Sequence, residues 1–300
     1  MLTPNMPSFD DPDGDRVPGG LPPVIDAHVH VFPDSLFGAV RQWFDRHAWN
    51  IRYRMPTAEI FAFLLSRGIR HIVALQYAHR PGMAADLNRY MIDQCRPYVG
   101  RVTGLATVFP GEAGAGEILQ EAFDAGLAGV KLHAHVQCFD LAAEAMAPIF
   151  ACCRRNDKPL VIHAGREPKS EAYHCDPHQI CGVAKVERVL QAFPGLKLCV
   201  PHLGFDEIEA YRRLVERHDS LWLDTTMVLA DYFPVAQPID LRRYRPDRIL
   251  YGSDFPNIPY AWDRELKKLE AAGLDPDLLE RILNRNAGEL FGLETNHGTE

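Results

Sequence analysis

The stretch VIDAHVHV, residues 24–31, is a short apolar run interrupted only by one aspartate and two histidines. Apolar runs of this length, without clean alternation, are what parallel strands covered on both faces require. Seven further runs of the same kind follow it: HIVALQY (71–77), VTGLATV (102–108), GVKLHAHV (129–136), PLVIHAG (159–165), LKLCVPHLG (196–204), LWLDTTM (221–227) and RILYGSDFP (248–256). Helical spacing fills the gaps. AEIFAFLLSRG (58–68) after Thr57, GEILQEAFDAG (116–126), DEIEAYRRLVERH (206–218) and WDRELKKLEAAG (262–273) carry apolar residues at helical intervals, and three of them stop at glycine. Eight strand–helix units in one chain predict an α/β fold, a single (β/α)8 TIM barrel. The rival, an open doubly wound sheet, would carry a glycine-rich phosphate turn after its first strand, and HVHVFP has none.

The barrel is expected over residues 23–293. Residues 1–22, rich in Pro, Gly and Asp, read as a flexible N-terminal arm, and 294–300 as a C-terminal tail. The chain has 300 residues, 47% of them hydrophobic and 24% charged, which suits a soluble globular protein and excludes disordered, collagen-like and disulfide-scaffold classes. Its net charge of −8 comes from 32 basic and 40 acidic side chains without a long run of one sign, so no nucleic-acid or membrane partner is expected. Seven cysteines, including the adjacent Cys152 and Cys153, fit no secreted disulfide framework, and Cys152, Cys153 and Cys199 read as small core residues. There is no leader-like start and no run of eighteen apolar residues, so the expected setting is cytoplasmic; a homo-oligomer is left open.

Chemistry concentrates where strands end. Alternation places Asp26, His28 and His30 on one face of the first strand, and two convergent imidazoles are what a divalent transition metal needs. In a chain with thirteen histidines, the pair taken alone is equally well a coincidence. His163, His202 and Asp254 close three other strands, and in a barrel the C-terminal strand ends meet at one mouth.

These positions together resemble the amidohydrolase superfamily of metal-dependent barrels. The motifs are DAHVH on strand 1, Lys131 in GVKLH on strand 4, His163 on strand 5, His202 on strand 6 and Asp254 in YGSDFP on strand 8. Asn286-Ala287 with Leu290-Phe291 is similar to the terminal helix of the amidohydrolase-related branch, which holds hydrolases and nonoxidative decarboxylases such as those acting on aminocarboxymuconate semialdehyde. The resemblance implies one metal, zinc by default, held by His28, His30, His163 and Asp254, with Asp254 also moving a proton and His202 steadying a hydroxide or oxyanion. It implies two roles for Lys131. In binuclear relatives this lysine is carboxylated and bridges two metals; in mononuclear members it remains an ammonium facing substrate, and the second is the expectation here. Manganese is the alternative metal.

His133 and His135 share the face of Lys131 and read as substrate contacts or loop histidines. The loop 165–178 offers Arg166, Tyr173, His174 and His178 to an acidic or ring-bearing small molecule, and its His174/Cys175/His178 cluster reads as a polar lid in preference to a zinc site. Phe32-Pro33, Thr225-Thr226 and Asn257 are further candidates for the mouth. The expected function is metal-dependent hydrolysis of an amide, lactone or ester-like bond in a small anionic substrate; the alternative is nonoxidative decarboxylation of a hydroxylated aromatic or enol acid on the same site.

Overall fold

The computed structural model describes residues 9–167, 170–232 and 238–293. Its strands are β1 (Val24–His30), β2 (Ile69–Leu75), β3 (Val102–Gly104), β4 (Val130–His133), β5 (Leu160–His163), β6 (Leu198–Val200), β7 (Leu221–Asp224) and β8 (Ile249–Leu250), and each overlaps one of the eight apolar runs. They pair in parallel as two arcs, β1 to β3 and β4 to β8. Both seams between the arcs are closed. At one, Ala106 bridges Val130 and Lys131 N donates to Ala106 O at 2.8 Å; at the other, Ala27 N donates to Tyr251 O at 3.0 Å and His30 N to Phe255 O at 2.8 Å. The result is the expected barrel.

Two packing surfaces hold it. Leu160, Ile162, Leu198, Val200, Leu221 and Leu223 face the helical shell, while the alternate residues Val161, Cys199 and Trp222 pack inside with Ile25, Val73, Leu75, Leu105 and Leu250. Ala287, Leu290 and Phe291 of the helix Asn286–Phe291 join this inner cluster. Full burial of each such aliphatic side chain contributes roughly 1.5–3 kcal/mol. That leaves the strands' C-terminal ends free for polar groups.

Strand β1 departs from strict alternation. Its pairing with β2 shifts register between Asp26 and Val29, so Ala27 packs inside the barrel while His28 and His30 both reach the mouth. Asp26, expected beside them, is used otherwise: it accepts from Ser253 Oγ at 2.5 Å, Ser253 N at 3.1 Å and His28 N at 3.2 Å.

The helices Thr57–Ser66, Ala115–Asp124, Ile208–Val215 and Arg264–Ala271 lie where the sequence placed them. A further helix, Asp34–His47, follows β1 directly; it has no side-chain cap and was not foreseen, although Phe37, Val40 and Phe44 recur at helical spacing. Residues 9–22 also differ from the expectation of a flexible arm. Arg264 pairs with Asp11 at 3.2 Å, Arg52 with Asp13 at 3.2 Å, Val17 N donates to Arg67 O at 2.8 Å and Trp262 Nε1 to Gly14 O at 2.9 Å. The acidic residues that made the segment look solvated are the ones that hold it to the barrel. Residues 1–8 of the expected arm, the tail 294–300, and Pro168 and Lys169 of the loop lie outside the described residues. Among the described residues no helix is long and apolar enough to cross a membrane.

Candidate metal centre

His28, His30 and Asp254 meet at the mouth, all three buried. His28 Nε2 and His30 Nε2 are 3.2 Å apart, His30 Nε2 is 3.1 Å from Asp254 Oδ1, and His28 Nε2 is 3.5 Å from the same oxygen. Ligand bonds of 2.0–2.1 Å in a tetrahedron put donor atoms about 3.3 Å apart. These three edges match that spacing. His28 Nδ1 donates its proton to Asp224 Oδ2 at 2.8 Å, which leaves Nε2 as an acceptor, with Lys131 Nζ 3.2 Å away. The single proton of His30 bridges at most two of the three edges, and the three donors together form a set that could hold a divalent cation.

Charges around the trio are set by burial and by each other. Burial and the nearby Lys131 push His28 down to about 3, so the ring is neutral and able to coordinate. Burial would raise Asp254, yet the hydrogen bond and charge of His30 hold it at about 2. Asp224 is likewise kept well below the carboxylate range by His28 against the effect of burial. Asp224, the last residue of β7, also accepts from the backbone N–H of His202 at 3.0 Å and of Thr226 at 3.2 Å. It orients two of the histidines and was missed in the sequence. The signal was there, since it ends an apolar strand as His163 does.

Asp254 and His202 both adopt left-handed backbone conformations, with φ of 65° and 57°. Non-glycine residues rarely do so, and such strain gathers where function fixes a side chain. His202 Nδ1 donates to Thr226 O at 2.9 Å, leaving Nε2 as an acceptor. Close approach matters at Gly252, where a Cβ would lie 2.6 Å from His28 Cβ and 2.5 Å from Thr226 Oγ1.

Lys131 is fully buried, and its Nζ is 3.2 Å from His28 Nε2. Desolvation lowers it to about 8, against the pull of Asp224 and Asp254. It does not line the cavity above the trio, so the expected contact with substrate is replaced by one with His28.

That cavity has a volume of about 620 Å³. His30, His163, His202 and Asp254 form part of its lining with Tyr77, His79 and Asn257, and the segment 36–49 supplies Leu36, Val40, Trp43, Phe44 and Trp49. Of the expected substrate contacts, His133, Tyr173 and His174 line it. Arg166 and His178 do not. Arg166 is 3.3 Å from Asp206 and 3.2 Å from Glu207, and His178 Nε2 donates to Glu167 O at 3.0 Å. No lysine or arginine is among the described lining residues, so the cationic grip inferred from the loop is absent there. His163, the expected fourth ligand, has its Nε2 2.6 Å from Glu167 Oε1, and its ring stacks on His133 with centroids 4.1 Å apart.

Residues 25–293 match the family described as Amidohydrolase. No curated protein sequence matches the chain. Among solved structures, the chain is similar to an uncharacterised TIM-barrel protein from Bordetella bronchiseptica, with 19% identity, a TM-score of 0.67, and coverage of 91% of this chain and 99% of that one. It is similar as well to a 5-carboxyvanillate decarboxylase from Novosphingobium aromaticivorans complexed with manganese and 4-hydroxy-3-methoxy-5-nitrobenzoic acid, with 16% identity, TM-score 0.64, and coverage of 95% and 99%. A third is 2,6-dihydroxybenzoate decarboxylase from Rhizobium, with 15% identity, TM-score 0.62, and coverage of 90% and 99%. At such identities the likeness carries the fold.

Proposed function

Because the chain belongs to the amidohydrolase family, we propose that it is a metal-dependent enzyme whose reaction is the nonoxidative decarboxylation of a small hydroxylated aromatic acid. The observation that carries this reading is the convergence of His28, His30 and Asp254 on one point of an aromatic-lined cavity. The decarboxylases among the similar structures support it in preference to hydrolysis, the function expected from sequence. His28, His30 and Asp254 would hold a divalent ion, zinc or manganese, which would supply positive charge to stabilise the charge developing on an anionic substrate.

The protein's own groups do the rest. Asp254, ionised at neutral pH, takes the proton of the substrate hydroxyl and delivers it to the ring carbon that bears the carboxylate. The carbon–carbon bond then breaks, its electron pair returns to the ring, carbon dioxide leaves, and the phenolate regains a proton from solvent. His202 Nε2, unprotonated and lining the cavity, is a further acceptor for a donor on the bound substrate. Tyr77, Trp43 and Phe44 give the ring apolar contact and keep water from the carbanion-like carbon. Lys131, behind His28, offsets the two carboxylates from below.

Hydrolysis is the second reading, favoured by the same Asp254 carboxylate, which could as well take a proton from water. A panel of hydroxybenzoates and of amides and lactones, assayed in oxygen-18 water, separates the two. Carbon dioxide release without label in the aromatic product supports decarboxylation. Label in a carboxylate product, without carbon dioxide, overturns it in favour of hydrolysis.

A further inference from the structure

Glu265 is the second residue of the helix Arg264–Ala271, where an acid in the first turn ordinarily faces solvent, yet it is buried and the chemistry above leaves it unused. Its Oε2 accepts the N–H of Met227 at 3.1 Å and its Oε1 that of Leu229 at 3.0 Å. Burial pushes the carboxyl group up, while the two N–H groups favour its ionised, acceptor-only form. The first of these bonds acts at a distance, because Met227 N and Thr226 O belong to one peptide unit. That carbonyl accepts the proton of His202 Nδ1 at 2.9 Å. One flat peptide thus joins Glu265 to an imidazole that lines the cavity. The peptide is the centre of a tight turn, since Val228 N donates to Thr225 O at 3.0 Å. Met227, the third residue of that turn, has φ of 61°, while that of Thr226 is not positive. Such a turn is type II and favours glycine or asparagine at this place; turning its central peptide over gives type I, which suits most residues. With methionine there, something must hold the peptide as it is.

We infer that Glu265 is a positioning residue that sets the tautomer of His202: by gripping the N–H of the 226–227 peptide it turns the carbonyl towards Nδ1 and keeps Nε2 an acceptor in the cavity. The inference deepens the decarboxylase reading and rests on it for the use made of that acceptor. Turning the peptide over would exchange its two ends. Met227 N–H would then face His202 Nδ1, the ring's proton would move to Nε2, and the cavity would meet a donor in place of an acceptor. Asp224 does not prevent this. It accepts from the N–H groups of His202 and Thr226, which belong to other peptides.

The test is Glu265→Gln, read in the full-length protein by proton–nitrogen correlation spectra of nitrogen-15-labelled histidine rings, with the His202 signals assigned by their loss in His202→Gln. Glutamine keeps its oxygen on Leu229 N and offers its NH2 to Thr226 O once the peptide has turned, so every group stays paired and the fold should survive. The parent should show His202 protonated at Nδ1 and the variant at Nε2, both with the same far-ultraviolet circular dichroism. A proton retained on Nδ1 in folded Glu265→Gln, or found on Nε2 in the parent, overturns the inference and leaves the decarboxylase reading standing. Should the glutamine variant fail to fold, Glu265→Met decides. It offers neither acceptor nor donor, so the unfavourable φ of Met227 should by itself move the proton to Nε2, and a proton still on Nδ1 refutes the inference. Solvent label in a carboxylate product, the result that overturns decarboxylation, leaves this measurement as it is, since the tautomer is read without substrate.

Discussion

Replacing Asp224 with asparagine removes one charge and almost no volume, so it isolates what this carboxylate does for His28. At present Oδ2 accepts the Nδ1 proton at 2.8 Å, while Oδ1 accepts two backbone N–H groups at 3.0 and 3.2 Å. An asparagine keeps its oxygen on the backbone donors, where two bonds hold it, and therefore presents its NH2 to His28. Two donors then face each other. The ring relieves this by moving its proton to Nε2, which takes away the electron pair that a cation needs. The lost hydrogen bond is to a charged group, worth about 1.5–3 kcal/mol, and a weakening of metal binding by roughly 10–100-fold corresponds to about 1.4–2.7 kcal/mol. The two figures agree. Competition against a chromophoric chelator measures the dissociation constant, with circular dichroism of the metal-free protein as the control for folding. A folded Asp224→Asn protein whose affinity stays within about twofold of the parent would refute the argument that Asp224 sets the tautomer of His28.

Four other outcomes are expected. Gly252→Ala puts a methyl 2.6 Å from His28 Cβ, so it should weaken metal binding roughly tenfold, seen by calorimetric titration; unchanged affinity would mean that β8 yields freely. Trp43→Ala should raise KM for an aromatic acid without altering metal content, and loss of metal instead would tie the helix Asp34–His47 to the centre itself. Arg166→Ala should leave KM within about twofold, since its charge is engaged by Asp206 and Glu207; a tenfold rise would place it in the substrate pocket after all. Burial holds His79 at about 4, below its ordinary 6.5, so the unfolded chain takes up a proton that the folded one refuses. Stability is thus full above pH 6.5 and lost as pH falls towards 4, by roughly 1–2 kcal/mol between pH 7.5 and 5. Urea denaturation at both values should show that loss shrinking by the same amount in His79→Gln.

The barrel was legible because its strands are local patterns: eight apolar runs, spaced by helical stretches, leave little choice of architecture. His28, His30 and Asp254 were legible for the same reason, each ending such a run. What escaped was whatever depends on direction. Arg166 and His178 were placed in the pocket from their loop, but a loop's side chains have no periodicity to say which way they face, and both turned to carboxylate or carbonyl partners nearby. Glu167, one residue from Arg166, took the inward position instead. Asp26 was misplaced by a register shift that no alternation rule contains. The acidic residues Asp11 and Asp13 looked solvated because Arg264 and Arg52, which hold them, are distant in sequence.

The central claim is that His28, His30 and Asp254 share one divalent ion. Anomalous scattering from crystals of the manganese-loaded protein, recorded on both sides of the metal edge, tests it most directly. A peak within bonding distance of His28 Nε2, His30 Nε2 and a carboxylate oxygen of Asp254 is the expected result; loaded crystals with no peak at that position would contradict it.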